Sequence, residues 1–500
     1  MDYLDPRKRH AHNIRLIVGY FLVSIVIGLA TYVLNQAANG YGLNVKTGQI
    51  IQNALLFTDS KPGGAEIYIN NHDRGTTTKA RLILPTGTYT LTLKKDGYRD
   101  WSRQFVLNEQ SVARYVYPCL FPVKPVVTNI KSYTSLPTLV TQSPDRRWLL
   151  IQSNEASERA PTFDMYDTST LDQASPTVSQ ISLPASVLTT YSSNSKLTEV
   201  EWSTDNNNLL LEHTYGNNTE FIVFNRDRPD QSFNVNRMFG VHPQQVNLLD
   251  KKVGQLYILR QPESTLQLGD TGNKTLGPVL IRHVLAFKPY GKNLVTYVTD
   301  SGEPKNEAIA KIWNNGDSFK LNDFPAGNKY LIDAAQFQGE FYYAAGSDTS
   351  ERINIYKNPL DQIKNPAYSK ALPILALHMD GGQKIGFSGN ARFLGVEAGQ
   401  QFSVYDFETR DSYQYTLSES ITDLLQWMDG HRYIGQVGSK IFIMDYDGTN
   451  RQLIADSVEP FGGLFSRDYD HLMVINPSQD GNSYVLQDVD MRAGKDLPKK

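Results

Sequence analysis

The stretch SPDRRWLLI, Ser143–Ile151, joins a polar turn to an apolar strand, and a second strand, FDMYD, follows at Phe163–Asp167. This two-part unit recurs along the chain: a polar turn beside an aromatic residue, an apolar strand, then a strand with alternating apolar positions. Further clear copies begin at Trp202, Phe287, Gly339, Phe387, Trp427 and Phe465, and a weaker one is Leu248–Arg260. The copies start roughly 40–60 residues apart, which is the period of an architecture built from repeated β-sheets.

The repeat indicates a ring of sheets. A four-stranded sheet of this kind cannot bury both faces alone, whereas stacking such sheets in a ring buries them and leaves only short edges. A solenoid would show tighter and more uniform repeats, and a β-sandwich would not repeat. We therefore expect a β-propeller over residues 125–492, with seven blades or, if Leu248–Arg260 begins one, eight.

The turns that open the strongest units resemble those of TolB-like and WD-type propellers, in which an SPDG turn precedes the second strand. Ser143-Pro144-Asp145 and Ser203-Thr204-Asp205 match this turn best, and the other units match it loosely. The Asp box of sialidases, S-x-D-x-G-x-T-W, is not met, because Arg147 occupies its Gly position. The resemblance implies a propeller fold without naming one activity.

An uncharged apolar run, LIVGYFLVSIVIGLATYVL, covers Leu16–Leu34. At 1.5 Å per residue such a helix spans about 28 Å, close to the hydrocarbon core of about 30 Å. A cleaved signal peptide is the alternative, but its apolar core is only about 7–15 residues long and ends at a small-x-small site. The segment LNQAANG that follows offers only a poor site, so we predict a transmembrane helix that contacts the lipid bilayer through Leu16–Leu34.

The charges beside this run predict its orientation. Arg7, Lys8, Arg9 and Arg15 precede it, and the next basic residue is Lys46. By the positive-inside rule the N-terminus stays in the cytoplasm and the rest of the chain is exported. We therefore expect a cytoplasmic stub at 1–15, a flexible spacer at 35–43, and a single-pass protein of the cell membrane with its later domains extracytoplasmic.

A small β domain is predicted after the spacer. Ala65, Ile67 and Ile69 alternate with polar residues, as on a strand with one buried face. The polar segment Asn70–Gly75 reads as a hairpin loop, because Asn, Asp and Gly tolerate the positive φ that such loops need. Further turns are expected at Pro85–Gly87 and Asp96–Gly97, between strands with apolar faces.

This arrangement resembles the PEGA domain, a small surface β module of bacteria and archaea. The matching segments are SKPGGA (60–65), IYI (67–69), GTT (75–77), LPTGTY (84–89) and KDGY (95–98), with Gly63 in place of the family's namesake Glu. The resemblance implies an antiparallel, β-sandwich-like domain over 44–118 that acts as a binding or spacer module without an active site. Some PEGA modules are the outer segments of transmembrane kinases, but residues 1–15 are too short to contain a kinase.

Composition excludes several classes of site. A chain of 500 residues is too long for one core. Its single cysteine, Cys119, provides neither a disulfide framework nor a cysteine metal site, and we expect it to be a buried strand residue. A net charge of −3 with interspersed acids and bases gives no basic stripe for nucleic acid. No cofactor and no nucleic-acid partner are expected.

Two short motifs look catalytic and are interpreted as turns. GDTGNKT, Gly269–Thr275, has the letters of a phosphate loop but not the G-x-x-x-x-G-K-[ST] spacing between a strand and a helix. DYDGTN, Asp445–Asn450, resembles half of an EF-hand loop but lacks the distal bidentate Glu and the flanking helices. We expect the first to be a hairpin tip and the second a turn between two strands.

Aspartates recur at the predicted blade tips and could in principle converge at a propeller mouth to bind a metal or perform acid–base catalysis. They are Asp145, Asp205, Asp429, Asp468 and Asp470. Each lies in a turn, however, where Asp commonly accepts hydrogen bonds from its own backbone. We interpret them as turn residues, and assign no catalytic, cofactor-binding or metal-binding residue.

Two functions remain open. The first is a non-catalytic, membrane-anchored binding or scaffold protein of the cell envelope, whose propeller binds an envelope protein or glycan. The second is an anchored propeller enzyme that processes glycans or peptides at the propeller mouth, which convergent carboxylates or histidines would indicate. The missing catalytic motifs favour the first. Two polar segments that look like loop insertions, Gln261–Gly277 and Thr299–Ala308, are its expected contact face.

Overall fold

The computed structural model describes residues 6–38, 41–43, 50–109, 111–153, 160–173, 176–192, 194–300, 306–364, 370–421 and 425–498. They form two compact units. The first contains the chain up to Lys124 together with Arg492–Leu497, and the second contains Pro125–Met491.

The apolar run forms helix α1, Pro6–Ala38. Its segment His12–Gln36 has a mean hydropathy of 2.3 and no buried part. The predicted spacer at 35–43 differs from the structure: α1 continues to Ala38 and a strand starts at Tyr41, while residues 39–40 lie outside the described part. Gln and Ala are good helix formers, so the sequence after Leu34 does not end the helix.

The rest of the first unit contains two four-stranded sheets that share one apolar core. The strands are β1 (Tyr41–Leu43), β2 (Ile50–Thr58), β3 (Glu66–Ile69), β4 (His72–Thr77), β5 (Ala80–Pro85), β6 (Gly87–Lys94), β7 (Trp101–Leu107) and β8 (Val112–Tyr115). One sheet has the order β1-β2-β5, with β8 parallel to β2, and the other has the order β4-β3-β6-β7. The predicted sandwich-like arrangement is confirmed, but one strand pair is parallel.

The strand β3 has the predicted inward face, since Ala65 and Ile67 are fully buried and Ile69 is 4% exposed. The predicted loop Asn70–Gly75 is too long. The turn consists of Asn70 and Asn71, with φ of 51° and 62°, and β4 already begins at His72. Two-residue turns with positive φ at both positions match the twist of the flanking strands. The polar letters that continue into β4 hide this boundary in the sequence.

Cys119 is buried, as expected, but it belongs to no regular strand; its backbone forms an isolated β-bridge with Lys61. The first unit also continues past the predicted limit at Pro118. Leu120 and Phe121 are 1% and 3% exposed. Leu120 therefore contributes to the core of the first unit.

The segment Arg492–Leu497, here called the C-terminal tail, packs on the first unit. The backbone N–H of Ala493 donates to the Tyr98 hydroxyl at 2.8 Å, and Lys95 Nζ lies 3.2 Å from the Asp496 carboxylate. At Gly97, with φ +81°, an added Cβ would lie 3.1 Å from the Ala493 methyl. The glycine thus permits both the turn and the close approach of the tail.

The second unit begins with β9 (Val126–Tyr133), followed by strands in groups of four. Blade one contains β10 (Val140–Gln142), β11 (Trp148–Ser153), β12 (Thr162–Asp167) and β13 (Val178–Ser182), and blade two contains β14 (Lys196–Trp202), β15 (Asn208–Tyr215), β16 (Asn218–Asn225) and β17 (Phe233–Asn234). Blade three contains β18 (Pro243–Leu249), β19 (Lys252–Arg260), β20 (Thr265–Asp270) and β21 (Thr275–Ile281), and blade four contains β22 (Val284–Tyr290), β23 (Leu294–Thr299), β24 (Glu307–Asn314) and β25 (Asp317–Pro325).

The remaining blades complete the ring. Blade five contains β26 (Tyr330–Phe337), β27 (Glu340–Ser347), β28 (Arg352–Lys357) and β29 (Leu375–His378), and blade six contains β30 (Lys384–Phe387), β31 (Phe393–Ala398), β32 (Gln401–Asp406) and β33 (Ser412–Thr416). Blade seven contains β34 (Gln426–Trp427), β35 (Arg432–Val437), β36 (Lys440–Asp445) and β37 (Gln452–Asp456), and blade eight contains β38 (Leu464–Phe465), β39 (His471–Pro477) and β40 (Tyr484–Asp490). The short helices are α2 (Val235–Phe239), α3 (Pro359–Ile363), and single 3-10 turns at Thr168–Thr170, Ala185–Val187, Pro229–Gln231 and Gly494–Asp496.

The described residues of the second unit form eight four-stranded antiparallel sheets, so the propeller has eight blades. The eighth blade is completed by β9, which pairs with β40 from Tyr484 opposite Tyr133 to Asp490 opposite Val126. The weak repeat at Leu248–Arg260 is the junction of β18 and β19 in blade three. Its strands are joined at Asp250 and Lys251, both with positive φ, and this short turn has no room for the S-x-D pattern.

Neighbouring blades share apolar cores. Between blades one and two, Leu150 and Phe163 pack with Leu209 and Phe224, and the rings of Phe163 and Phe224 stack at 5.3 Å. Between blades eight and one, Met473 and Ile475 pack with side chains of β11, including Leu149. The alternating apolar positions of the repeat are the residues that fill these junctions.

The two predicted insertions need correction. Gln261–Gly277 is no loop insertion, because it contains β20 and the first residues of β21. Its polar residues are the turns at each end of a regular blade strand. Thr299–Ala308 connects β23 to β24, and residues 301–305 within it lie outside the described part of the chain.

Removal of the Tyr98 hydroxyl should loosen the C-terminal tail. Tyr98→Phe leaves the Ala493 N–H without its acceptor, and we expect a loss of about 1 kcal/mol in tail docking. This should appear as roughly fivefold faster amide hydrogen exchange of the tail, with unchanged exchange in β36. Tyr68→Phe is the matched control, since that exposed hydroxyl donates only to Glu66 at 3.1 Å. Equal tail protection in both variants would contradict the assigned role.

Candidate functional site

We take the first strands of the blades as the innermost ones, since β14 contacts β18, β22 contacts β26, and β26 contacts β30 across neighbouring blades. Among those of blades one, two, seven and eight lies a cavity of about 430 Å³. This is the mouth region in which the enzyme hypothesis expects convergent acids or histidines. Of the described residues that line it, Glu199 and Arg146 are the charged ones.

Both charged groups of this cavity are bound by the protein. Glu199 accepts a hydrogen bond of 2.5 Å from the Thr141 hydroxyl. Burial raises the pKa of Glu199, although the Thr141 bond and the Lys251 charge oppose the shift. Arg146 donates to the Met428 carbonyl and stacks over the Tyr469 ring at 4.5 Å. A single carboxylate without a second acid or a histidine beside it provides no acid–base pair.

Polar residues near the axis connect the blades to one another. Glu201 of blade two forms an ion pair with Lys251 of blade three and accepts from the Leu248 N–H at 2.5 Å. Six of the other junctions carry comparable contacts: Trp202 to Thr141 at 2.7 Å, Gln245 to Phe287 at 3.4 Å, Lys288 to Asp333 at 2.6 Å, Asp333 to Phe387 at 3.1 Å, Trp427 to Gly386 at 3.0 Å and Gln142 to Phe465 at 3.0 Å. Between blades seven and eight the contact lies outside the first strands: Ser457, after β37, donates to the Ile475 carbonyl at 3.3 Å. The polarity of the inner strands therefore has a structural cause.

The tip aspartates lie in separate turns. Asp145 accepts from the Ser143 hydroxyl at 2.6 Å and the Arg147 N–H at 3.1 Å, and Asp429 accepts from the backbone of His431 at 2.7 Å. Asp205 accepts from Ser203 and the Asn207 N–H, and Asp468 accepts from Ser466 and the N–H of Asp470. Among the described residues, no three His, Cys, Asp or Glu side chains are placed to hold a metal ion.

The two motif-like segments are also turns. Asp270 accepts from the Asn273 N–H at 2.9 Å in the hairpin between β20 and β21. After β36, Asn450 Nδ2 donates to the Asp445 carboxylate at 2.8 Å. Neither segment precedes a helix, so neither presents the row of backbone N–H groups that a phosphate loop needs.

Two buried His–carboxylate pairs resemble catalytic dyads. His213 Nδ1 lies 2.9 Å from Glu220, and both side chains are almost fully buried. Burial would raise the pKa of Glu220, but hydrogen bonds from His213, Thr189 and Asn234 lower it to about 2. His471 likewise binds Asp488 at 2.9 Å and is 4% exposed. Groups this enclosed cannot reach a substrate, and they act as structural links.

A repeated ion pair braces the blades. A basic residue before or in the second strand binds an Asp at the end of the third: Arg147 binds Asp167 at 2.7 Å, and Arg392 binds Asp406 at 2.6 Å. The carboxylate is buried in both, with Asp406 fully so. The sequence analysis did not find this brace, although the signal was present in the Asp that closes FDMYD and FSVYD, each preceded by a basic residue before the apolar strand.

Removal of one brace partner should be costly. Asp406→Ala leaves the partly buried Arg392 guanidinium with only the half-exposed Glu408 as an ion-pair partner, and we expect a loss of about 3 kcal/mol in the free energy of unfolding. Asp456→Ala is the control: its ion pair with Lys440 is about half-exposed on both sides, and its loss should cost less than about 1 kcal/mol. Urea unfolding of both variants measures the difference, and equal losses would contradict the assignment.

One buried acid, Glu397 in β31, keeps an incomplete set of partners. Its side chain accepts from the Leu425 N–H at 3.0 Å, while Oε1 has no hydrogen-bond partner within the described structure. Burial raises the pKa of Glu397 to about 7, against the opposing effects of the Leu425 bond and the Lys384 charge. The folded protein therefore holds a proton here at mildly acidic pH.

This proton predicts a pH dependence. The pKa of Glu397 is higher in the folded state than its ordinary value of about 4.3, so its contribution is fully present below that value and is lost as pH rises towards 7. Glu397→Gln has no such proton. Relative to wild type, its free energy of unfolding should increase between pH 5 and 8, as measured by urea unfolding. Glu263→Gln, at an exposed position, is the control, and a Glu397→Gln difference that stays flat over this range would refute the prediction.

Comparisons with known proteins find one family match and several similar solved structures. The family model of the PEGA domain matches residues 54–116. A search of curated proteins finds no significant match. Among solved structures, the Dos1 propeller is 12% identical over 74% of this chain and 95% of its own, with a TM-score of 0.41.

Two further solved structures are similar over most of their length. The uncharacterized protein lmo1340 from Listeria monocytogenes EGD-e is 14% identical over 67% of this chain and 93% of its own, with a TM-score of 0.37. The Myceliophteria thermophila Cps50 (Swd1) β-propeller domain is 10% identical over 74% of this chain and 100% of its own, with a TM-score of 0.35. The family match confirms the resemblance of the small β domain, and the eight sheets define the fold of the second unit. Along its sequence, the chain therefore contains an N-terminal apolar helix, then a PEGA domain, then an eight-bladed β-propeller.

Proposed function

We propose that this protein is a single-pass, membrane-anchored binding protein of the cell envelope, with its PEGA domain and propeller outside the cytoplasm. The observation that carries the proposal is the exposure of α1. Ile17, Tyr20 and Leu34 are 67%, 69% and 69% exposed, so none of the described residues covers this long apolar surface. A bilayer covers such a helix at its matching length.

The orientation is supported by the charges at the helix ends. Basic residues are concentrated before Leu16 and absent between Leu34 and Lys46. This asymmetry favours a cytoplasmic N-terminus. The PEGA domain and the propeller, which follow the helix in the chain, then both lie on the outer side of the membrane.

Binding is favoured over catalysis by the way the polar groups are used. The carboxylates near the axis join blades, and those at the tips accept bonds within their own turns. A propeller also offers rigid strands that hold variable loops, which suits recognition. We infer that the propeller is the recognition module and the PEGA domain is its support.

Protease accessibility tests the topology. In spheroplasts, added protease should digest a C-terminal epitope while an N-terminal epitope stays protected, because the bilayer shields only the residues before the helix. Lysed spheroplasts, in which both epitopes are digested, are the control. The intact mass of the purified protein should include the helix. A mature chain that starts after Leu34 would contradict the anchor, and a protected C-terminus would contradict the orientation.

A further inference from the structure

A second, larger cavity lies apart from the axis, between blades four and five. It has a volume of about 550 Å³ and opens where β22 turns into β23 and where β28 is followed by α3. Three aromatic side chains line it, Tyr290, Phe341 and Tyr343, together with the amides of Asn293 and Asn314. We call this cavity the aromatic cleft.

The aromatic rings form a corner. The centroids of Tyr290 and Phe341 are 6.1 Å apart, and their planes are inclined by 87°. Both side chains are half-buried, so each ring is held by the fold and still presents part of its surface. Two perpendicular apolar surfaces can accept one flat, apolar face of a ligand and contact its edge.

Several polar side chains of the cleft form no hydrogen bond with the described residues of the protein. The side chains of Asn293 and Asn314 form no hydrogen bond in the described part of the chain, whereas Asn358 nearby accepts from the Phe341 N–H at 2.8 Å. The Tyr343 hydroxyl is also without a partner there, although Tyr343 is only 1% exposed. Unpaired buried hydroxyls are uncommon, because each loses its bond to water. Of these groups, the amides of Asn293 and Asn314 are accessible to a ligand, whereas the enclosed Tyr343 hydroxyl is not.

We propose that the aromatic cleft binds a neutral oligosaccharide. A pyranose ring has an apolar C–H face that stacks on an aromatic ring, and a rim of hydroxyls that are both donors and acceptors. Amides supply both kinds of group, which a purely charged site does not. The proposal rests on the proposed function as a recognition module and specifies its ligand class, but the cleft's affinity does not depend on membrane topology.

The charges around the cleft do not build an anion site. Lys364 lies 3.2 Å from Asp361, so its charge is compensated, and both side chains are 72% exposed. Lys292 is exposed on the rim. Solvent-exposed charges of this kind are screened at physiological salt, whereas stacking and neutral hydrogen bonds are not. Affinity for a neutral sugar should therefore be insensitive to salt.

Calorimetric titration of the detergent-solubilised full chain tests this proposal, with chitotetraose, cellotetraose and maltotetraose as probes. We expect binding of at least one, weakened roughly tenfold by Tyr290→Ala through the lost stacking surface, and weakened also by Asn314→Ala, which removes an amide without a structural partner. Tyr330→Ala is the matched control. That side chain is half-buried in the same pair of blades and packs on Phe324 at 6.2 Å, at the other end of the strands.

The outcomes separate this proposal from the proposed function. Binding of none of the three sugars, or binding that Tyr290→Ala and Tyr330→Ala weaken equally, would overturn the assignment of the cleft, whatever the protease experiment shows. Binding confined to an anionic probe, a sulfated tetrasaccharide, and lost in high salt would also overturn it. Conversely, sugar binding with a protected C-terminus would support the cleft and refute the proposed topology.

Discussion

The antiparallel pairing of β9 with β40 is the constraint on which the second unit depends. The last blade of the ring has only three strands of its own, and without a fourth it would expose an unpaired strand edge. The first strand of the unit fills that place and pairs from Tyr133 opposite Tyr484 to Val126 opposite Asp490. Closure thus joins residues more than 350 positions apart, and the propeller cannot be complete before the whole unit has been synthesised.

Closure also explains why the inner strands are polar. Eight blades around one axis bring eight strands near each other, where water is scarce and backbone and side-chain groups still need partners. These groups find partners across the junctions between blades, as in the ion pair of Lys288 with Asp333 and the hydrogen bond from Gln142 to the Phe465 carbonyl. A polar centre is therefore expected of a large ring, and its polarity alone is weak evidence for catalysis.

The sequence predicts repeated features well and singular ones poorly. The alternating strands and the polar turns beside them mark seven of the blades, because the same physical requirement recurs at each. Blade three was uncertain since Asp250 and Lys251 form its turn without the usual letters. The brace of Arg392 with Asp406 needs strand register, and the cleft needs Tyr290 and Phe341 from different blades. The letters of both relations are in the sequence, but which residues meet depends on strand register and blade packing, and the C-terminal tail has no periodicity.

The return of the C-terminal tail has a consequence for shedding by proteases. The chain leaves the first unit after Lys124 and comes back to it at Arg492, so the propeller is held by one covalent connection and by the non-covalent docking of the tail. After a single cut in a loop between blades, the N-terminal fragment would remain joined through Lys124. The C-terminal fragment would be held by the tail on Tyr98 and Lys95 and by the pairing of β40 with β9. Release of the propeller from the first unit therefore requires the loss of both attachments. A domain attached by one linker does not have this protection.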